Sequence, residues 1–415
     1  MKRVVVTGMG TVNALGHNVK DFWEAIKAGK CGIGPITKFD TTEFACKIAA
    51  EVKDFDYTDL IEKKEARMMD DFTIFTVHAA KQALKDAGVV IGENQDPDKV
   101  GTIIGNGIGG LISLELGYEK LFTGGGPTRI PPMTIPKHIA NIGAGNVAIH
   151  TGAMGPSCAV VTACSAGTDA LGTAAMWIRS GAMEMMISGG SEAAITQLAV
   201  GGFCQIKAMS TKFNDNPLGS SRPFDKARDG FVMGEGAGVL ILEEYEHAVK
   251  RGAKIYAELA GFGMTCDANH LTAPHPEGLG AIKAMQMALA EAGMKPTDVD
   301  YINAHGTSTP INDPTETKAI KGAFGEHAYK LKVSSTKSMT GHCIGGAGGI
   351  EAIVAIMAMQ EQIFPPTINL ENPDIEAGCD LDYVPNKAVA GKIDVAMSNT
   401  LGFGGHNGIV IFKKI

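Results

Sequence analysis

Three residues combine a reactive side chain with a local setting that could use it: Cys164, His305 and His342. Cys164 lies in Ala159-Val-Val-Thr-Ala-Cys-Ser-Ala-Gly-Thr-Asp-Ala170. A short apolar run ends near the thiol, and small residues lead on into a helical pattern. That order predicts a strand, a tight turn and a helix, with the sulfur at the helix N-terminus. There, roughly half a unit of positive charge favours thiolate over thiol, and the small neighbours let a substrate approach closely. Such a thiol can act as a nucleophile and carry an acyl group as a thioester. Cys31, Cys46, Cys158, Cys204, Cys266, Cys343 and Cys379 lack this setting. They form no Cys-x-x-Cys pair, so a zinc ribbon or dithiol motif has no support, and they read as small core hydrophobes.

The two histidines stand in comparable places. His305 lies in Tyr301-Ile-Asn-Ala-His-Gly-Thr-Ser-Thr-Pro310, directly after an apolar strand pattern. His342 lies in Lys337-Ser-Met-Thr-Gly-His-Cys-Ile-Gly-Gly-Ala-Gly-Gly349, ahead of an apolar helical pattern over 350–360. His406, in Gly404-Gly-His-Asn407, has the weaker setting of a glycine loop.

The elements that must position these groups follow from hydrophobic spacing. Apolar runs at 4–6, 100–104, 159–161, 185–187 and 239–242 read as buried strands, and 21–28, 72–87 and 168–179 carry helical periodicity. Such alternation predicts an α/β fold with a largely internal sheet. The order of parts also repeats. Gly238-Val-Leu-Ile-Leu-Glu-Glu244 matches Gly408-Ile-Val-Ile-Phe-Lys-Lys414, Met185-Met-Ile-Ser-Gly-Gly190 matches the stretch from Ala396 to Gly405, and Ile103-Ile-Gly105 matches Tyr301-Ile-Asn303. This predicts a duplicated fold with halves 1–250 and 251–415. Lys250-Arg-Gly-Ala253 is too short a link for mobile domains, so the halves pack as one unit.

Composition excludes several classes. The 415 residues are 45% hydrophobic and 20% charged, ordinary for a globular chain. A net charge of −8 argues against nucleic acid or an anionic membrane as partner. No apolar stretch approaches the roughly 18 residues of a membrane span, and the opening run is too short for a signal peptide, so the cytoplasm is expected. The opening glycines lack the Gly-x-Gly-x-x-Gly spacing of a dinucleotide site. Ser334-Ser-Thr-Lys337 lacks the Lys-Thr-Gly partner of a serine acyltransferase.

Four segments taken together resemble those of the beta-ketoacyl-[acyl-carrier-protein] synthases, most of all the elongating type II form. They are Thr162-Ala-Cys-Ser-Ala-Gly167, Asn303-Ala-His-Gly-Thr-Ser-Thr-Pro310, Ser334-Ser-Thr-Lys-Ser-Met-Thr-Gly-His342 and Gly402-Phe-Gly-Gly-His-Asn407. The likeness runs from the first strand to Ile415. It implies the thiolase fold, two similar halves layered α/β/α/β/α, and a homodimer. The nucleophile Cys164 would lie in half 1–250, and the catalytic pair His305 and His342 in half 251–415. Lys337 matches the family lysine, and Phe403 the loop residue whose N–H forms an oxyanion hole with that of Cys164. Thr307 and Thr309 match pantetheine contacts, and Ile108 and Phe203 match the acyl pocket.

Leu401 stands near the pocket gate, where members often carry Phe. The substrate would be an acidic acyl carrier protein, with Lys63, Lys64, Arg67, Arg129 and Lys207 as docking candidates. The implied reaction is decarboxylative condensation of malonyl-carrier with an acyl group on Cys164. No metal or organic cofactor is needed, since the pantetheine arm arrives with the substrate. Some relatives hold a monovalent cation near Asn303, Glu351 and Asn399. A type II polyketide ketosynthase keeps the same Cys-His-His set and is the nearest rival. A non-catalytic chain-length or acyl-binding subunit would lack the cysteine. Thiolases carry a second cysteine in the last glycine loop, which 401–407 does not have.

Overall fold

The computed structural model describes residues 2–415. The strands of its main sheet are β1 (Val4–Asn13), β2 (Val100–Gly105), β3 (Ser157–Val160), β4 (Met185–Glu192), β5 (Gly236–Glu244), β6 (Ala257–Cys266), β7 (Tyr301–Asn303), β8 (Lys332–Ser334), β9 (Val395–Gly402) and β10 (His406–Lys413). They pair in the order β8-β7-β9-β10-β6-β1-β5-β4-β2-β3. Each half therefore uses its third, second, fourth, fifth and first strand in that sequence. The senses match too. The β3–β2–β4 and β8–β7–β9 neighbours are parallel, and the fifth strand of each half runs antiparallel to its fourth and first. Within the sheet the halves join through two residue pairs, Val5 with Glu258 and Val6 with Ala257. All three repeated motifs fall on equivalent strands, β2 with β7, β4 with β9 and β5 with β10, so the fold is a duplicated, thiolase-like α/β structure.

Strands β1, β4 and β5 are buried at every residue, because helices cover both faces. The helices that matter here are α1 (Val19–Lys27), α2 (Lys63–Ala66), α3 (Asp71–Ala87), α4 (Ala166–Arg179), α5 (Gln197–Gln205), α6 (Leu279–Ala292), α7 (Asn312–Phe324) and α8 (Ala347–Glu361). One apolar core unites α4 and α8 with both halves of the sheet, through residues such as Leu171, Ala174, Ile178, Ile353 and Ile356. A second core lies under α3 and a third under α6 and α7. The result is five layers, with α4 and α8 in the middle. Helix α8 is apolar on every side and nearly all buried, as a central-layer helix must be.

Glycine sets how closely these layers meet. A Cβ on Gly8 or Gly10 would lie 2.1 or 2.0 Å from the carbonyls of Ala83 and Ala79 on α3. The opening glycines thus serve helix-on-strand contact rather than a nucleotide. At the centre, a Cβ on Gly167 would lie 2.8 Å from Gly345 O, and one on Gly349 would lie 2.1 Å from Gly238 O.

The predicted buried strand over 159–161 differs. It is β3, shifted to Ser157–Val160 and paired only with β2 at the outer edge of the sheet. Cys158 and Val161 are exposed as a result. Among the described residues, no helix is long and apolar enough to cross a membrane.

Gly349→Ala should lower unfolding free energy by about 1–3 kcal/mol, since its methyl meets backbone that cannot retreat. Gly202→Ala, in α5 with nothing within 4 Å, should be neutral or slightly stabilising. Urea denaturation of the two variants checks the pair.

Candidate active site

Cys164 occupies a 3₁₀ turn, Ala163–Ser165, that feeds directly into α4. Ala163 has φ +52°, a left-handed conformation that non-glycine residues seldom adopt. Polar groups around the turn hold it there. The buried Asp169 carboxylate, one turn into α4, accepts hydrogen bonds from Thr162 Oγ1 at 2.6 Å and Ser165 Oγ at 2.8 Å. The glycine loop after β9 closes over the turn, and a Cβ on Gly402 would sit 2.8 Å from Thr162 O. This contact brings the backbone N–H of Phe403 to the sulfur, where it joins that of Cys164 itself.

The expected thiolate is not the resting form. Burial pushes the Cys164 thiol up to about 12, although Lys337 and the Phe403 N–H pull the other way. Desolvation of a buried anion outweighs the helix end and its donors.

His305 follows β7, and its position is fixed through the backbone. The N–H groups of His305 and Gly306 both donate to the buried carboxylate of Glu316 on α7, at 2.8 and 2.7 Å. His342 donates its backbone N–H to Val232 O at 2.7 Å, and Phe231 packs edge-on against its ring. The two imidazoles meet edge to face, with centroids 5.2 Å apart. Cys164 Sγ and one nitrogen of each ring lie within 4.8 Å of one another. His406 begins β10 and stays outside this cluster.

Burial and the positive charge of Lys337 hold both imidazoles well below their ordinary 6.5, so they are neutral near pH 7. Both Nδ1 atoms are buried without a partner. An orphaned N–H is costlier than an orphaned lone pair, so we assign each proton to Nε2.

Lys337 is 1% exposed and ion-paired with Glu351 of α8, itself 3% exposed. Burial pushes the Glu351 carboxyl upward against the pull of Lys337. Around this pair lie further buried oxygens without partners: Glu351 Oε2, Asn303 Oδ1, Ser398 Oγ and Asn399 Oδ1. The β7–β9 register sets Asn303 beside Ser398. An all-oxygen donor set with spare lone pairs suits a hard cation, so these residues fit the ion that the family resemblance implies.

A cavity of about 260 Å³ opens onto Cys164, His305 and His342, and its walls include Phe203, Thr307, Thr309, Leu401 and Phe403. The hydroxyls of Thr307 and Thr309 lie 3.0 Å apart. Ile108 does not line it. It lines a second, apolar cavity of about 500 Å³ that is open to solvent and shares Phe203, Ile206, Thr272 and Phe403 with the first. The two phenylalanine rings lie 6.3 Å apart where the cavities adjoin. Lys207 stands on the wall of the first cavity. Lys63 and Lys64 on α2, Arg67 just after it, and Arg129 are exposed but lie outside both cavities. Sequence reading missed Asp169 and Glu316. The only signal was an acidic residue four or eleven positions after a motif residue.

A thiol and two neutral imidazoles at a pocket floor, with paired backbone N–H groups above the sulfur, define a condensing or acyl-transfer enzyme on a thiolase-like fold. The model of the beta-ketoacyl synthase N-terminal domain matches residues 1–248, that of the C-terminal domain matches 256–371, and the chain belongs to this family. It is 55% identical over 413 residues to a 3-oxoacyl-[acyl-carrier-protein] synthase 2 of Synechocystis sp., covering 100% of this chain and 98% of the relative. A protein of the same name from Coxiella burnetii is 50% identical, with 100% and 99% covered. Among solved structures, a beta-ketoacyl synthase from Burkholderia phymatum superposes with a TM-score of 0.92 at 35% identity, covering both chains fully. A type II polyketide ketosynthase, in complex with its acyl-carrier protein and bound to a hexaketide, gives 0.92 at 34%, covering 100% and 99%.

Two outcomes test this electrostatic arrangement. Below pH 6.5 the unfolded chain protonates its histidines while folded His305 and His342 do not. These groups therefore make stability fall as pH drops from about 7 to 5. His305→Gln and His342→Gln should each flatten that slope in urea titrations. Lys337→Met should destabilise by roughly 3–5 kcal/mol by stranding Glu351, and Lys337→Met with Glu351→Gln should recover part of the loss.

Proposed function

We propose that this protein is an elongating 3-oxoacyl-[acyl-carrier-protein] synthase that lengthens fatty acyl chains by two carbons. The convergence of Cys164, His305 and His342 within 4.8 Å carries the reading. In the first half-reaction Cys164 Sγ attacks the thioester of an acyl-carrier. The acyl group passes to the sulfur, and the thiol proton ends on the departing pantetheine sulfur. Backbone N–H groups of Cys164 and Phe403 stabilise the tetrahedral oxyanion, an effect typically worth about 10²–10³ in rate per donor.

In the second half-reaction malonyl-carrier enters along Thr307 and Thr309. Its C–CO₂ bond breaks, carbon dioxide leaves, and the electron pair forms an enolate whose oxygen accepts from Nε2–H of His305 and His342. The enolate carbon attacks the acyl thioester, a carbon–carbon bond forms, and the Cys164 thiolate departs to be reprotonated. Lys337 acts through charge, keeping both imidazoles neutral and easing thiolate formation. No step needs a metal or organic cofactor. The nucleophile belongs to half 1–250 and both histidines to half 251–415.

The open edge at β3 supports a homodimer. Cys158 and Val161 are exposed there, with Met154, Met176 and Trp177 nearby in the chain or on α4. Unpaired strand edges with apolar neighbours invite a second copy. Lys207 marks the cavity mouth as the carrier-binding side, with Lys63, Lys64, Arg67 and Arg129 as further docking candidates. We place the enzyme in the cytoplasm. A polyketide role is the weaker reading, since polyketide relatives are 34% identical and fatty-acid ones 50–55%. A scaffold role does not use the intact Cys164 site.

Incubation with octanoyl- and malonyl-carrier protein should give 3-oxodecanoyl-carrier protein by mass spectrometry. Cys164→Ala should give none. Absence of both product and acyl-Cys164 across several chain lengths would overturn the assignment. Analytical ultracentrifugation should show a dimer.

A further inference from the structure

Glu192 is fully buried at the end of β4, and among the described residues it has no basic partner. Four backbone N–H groups surround its carboxylate instead. Oε2 accepts from Gly107 at 2.7 Å and Gly345 at 3.1 Å, and Oε1 accepts from Ile108 at 3.2 Å and Gly109 at 3.3 Å. Burial pushes the carboxyl up to about 7, and these donors keep it from rising further.

Three features of the active site meet at this one side chain. Gly107 to Gly109 form the loop that carries Ile108 into the second cavity. Gly345 belongs to the turn at 344–346 that opens α8, three residues after His342. Gly107 itself is pressed between Ile344 and the carboxylate, since a Cβ there would lie 2.7 Å from Ile344 Cγ2 and 2.9 Å from Glu192 Oε2. Ile344 is a wall residue of the first cavity. The carboxylate thus ties the wall of the distal cavity to the wall of the reaction cavity, using backbone groups that no other side chain serves.

We propose that Glu192 is a positioning residue that sets acyl-chain selectivity by fixing the Ile108 loop in the apolar groove beside Phe203 and Phe403. The inference rests on the synthase reading given above. The open apolar groove lined by Ile108 adjoins the reaction cavity along Phe203, Ile206, Thr272 and Phe403. Short acyl groups end in the first cavity, near Cys164, whereas longer ones extend into the groove and meet Ile108. A glutamine at 192 retains one acceptor oxygen but turns an amide N–H₂ toward two backbone N–H groups. The shorter contacts lie on Oε2, so the amide oxygen takes that side and the clash falls on Ile108 and Gly109. Long chains therefore suffer more than short ones.

The test compares acylation of Cys164 by butyryl- and dodecanoyl-carrier protein, followed by intact-protein mass spectrometry, in wild type and Glu192→Gln. The ratio of long-chain to short-chain kcat/KM should fall by about tenfold, the scale on which pocket contacts discriminate substrates. In an Ile108→Ala background the same substitution should change that ratio little, because the two changes act on one wall. Should Glu192→Gln fail to fold, Glu192→Asp, which keeps the charge but cannot reach both donor pairs, should lower the same ratio. A parallel loss for both chain lengths, an unchanged or raised ratio, or full additivity with Ile108→Ala would overturn the proposal. Wild type that acylates Cys164 with neither substrate would instead sink the synthase reading.

Discussion

Everything at the active site depends on the contact between the N-terminal ends of α4 and α8. Helices normally pack with axes 8–10 Å apart, held off by their side chains. Here Gly167, Gly345, Gly348 and Gly349 remove those side chains, and backbone meets backbone. The approach brings the turn that holds Cys164 and the turn that follows His342 into one small volume. Gly190 on β4 and Gly238 on β5 admit the helices to the sheet in the same way. These six glycines therefore stand where two halves of a duplicated fold must share a site.

That site is built to hold charge in one place and to exclude it elsewhere. Among the described residues, Lys337 is the cation whose charge acts on Cys164, His305 and His342, and Glu351 neutralises it from inside the buried, largely apolar helix α8. The pair carries little net stability, because desolvating two ions offsets much of their attraction. What it supplies is a fixed potential that disfavours imidazolium and favours thiolate. Neutral imidazoles keep their N–H groups as donors without becoming acids that would protonate an enolate. The thiol, for its part, rests protonated, which spares it from adventitious chemistry.

Much of this was legible in the sequence, for identifiable reasons. Cys164, His305 and His342 stood out because each adjoins a strand end or helix start flanked by small residues, a local pattern. The duplication was legible because equivalent strands kept similar apolar runs. Three matters were not local and could not be read. The protonation of Cys164 depends on how completely remote segments enclose it, so a helix-end argument overestimated thiolate. The edge position of β3 depends on strand order, which an apolar run at 159–161 does not encode. Ile108 lines a second cavity that adjoins the first at Phe203, Ile206, Thr272 and Phe403, a neighbourhood that only the folded chain brings together. Asp169 and Glu316 act on backbone and hydroxyl groups, a role that leaves no signature in residue type.

The duplicated architecture also has a second seat for a nucleophile. The turn Ala163–Ser165 before α4 has its counterpart in Ile344–Gly346 before α8, down to a left-handed residue in first place, Ala163 at +52° and Ile344 at +45°. Gly345 thus occupies the position that Cys164 holds in the other half. A side chain there would collide with Asn106 and Gly107 at 2.3 to 2.6 Å. With Asn106 and Gly107 folded across that seat, only the other half can carry the thiol. Asymmetry of function in such a molecule is then a steric inheritance, and adding a second sulfur would require rebuilding the pocket wall first.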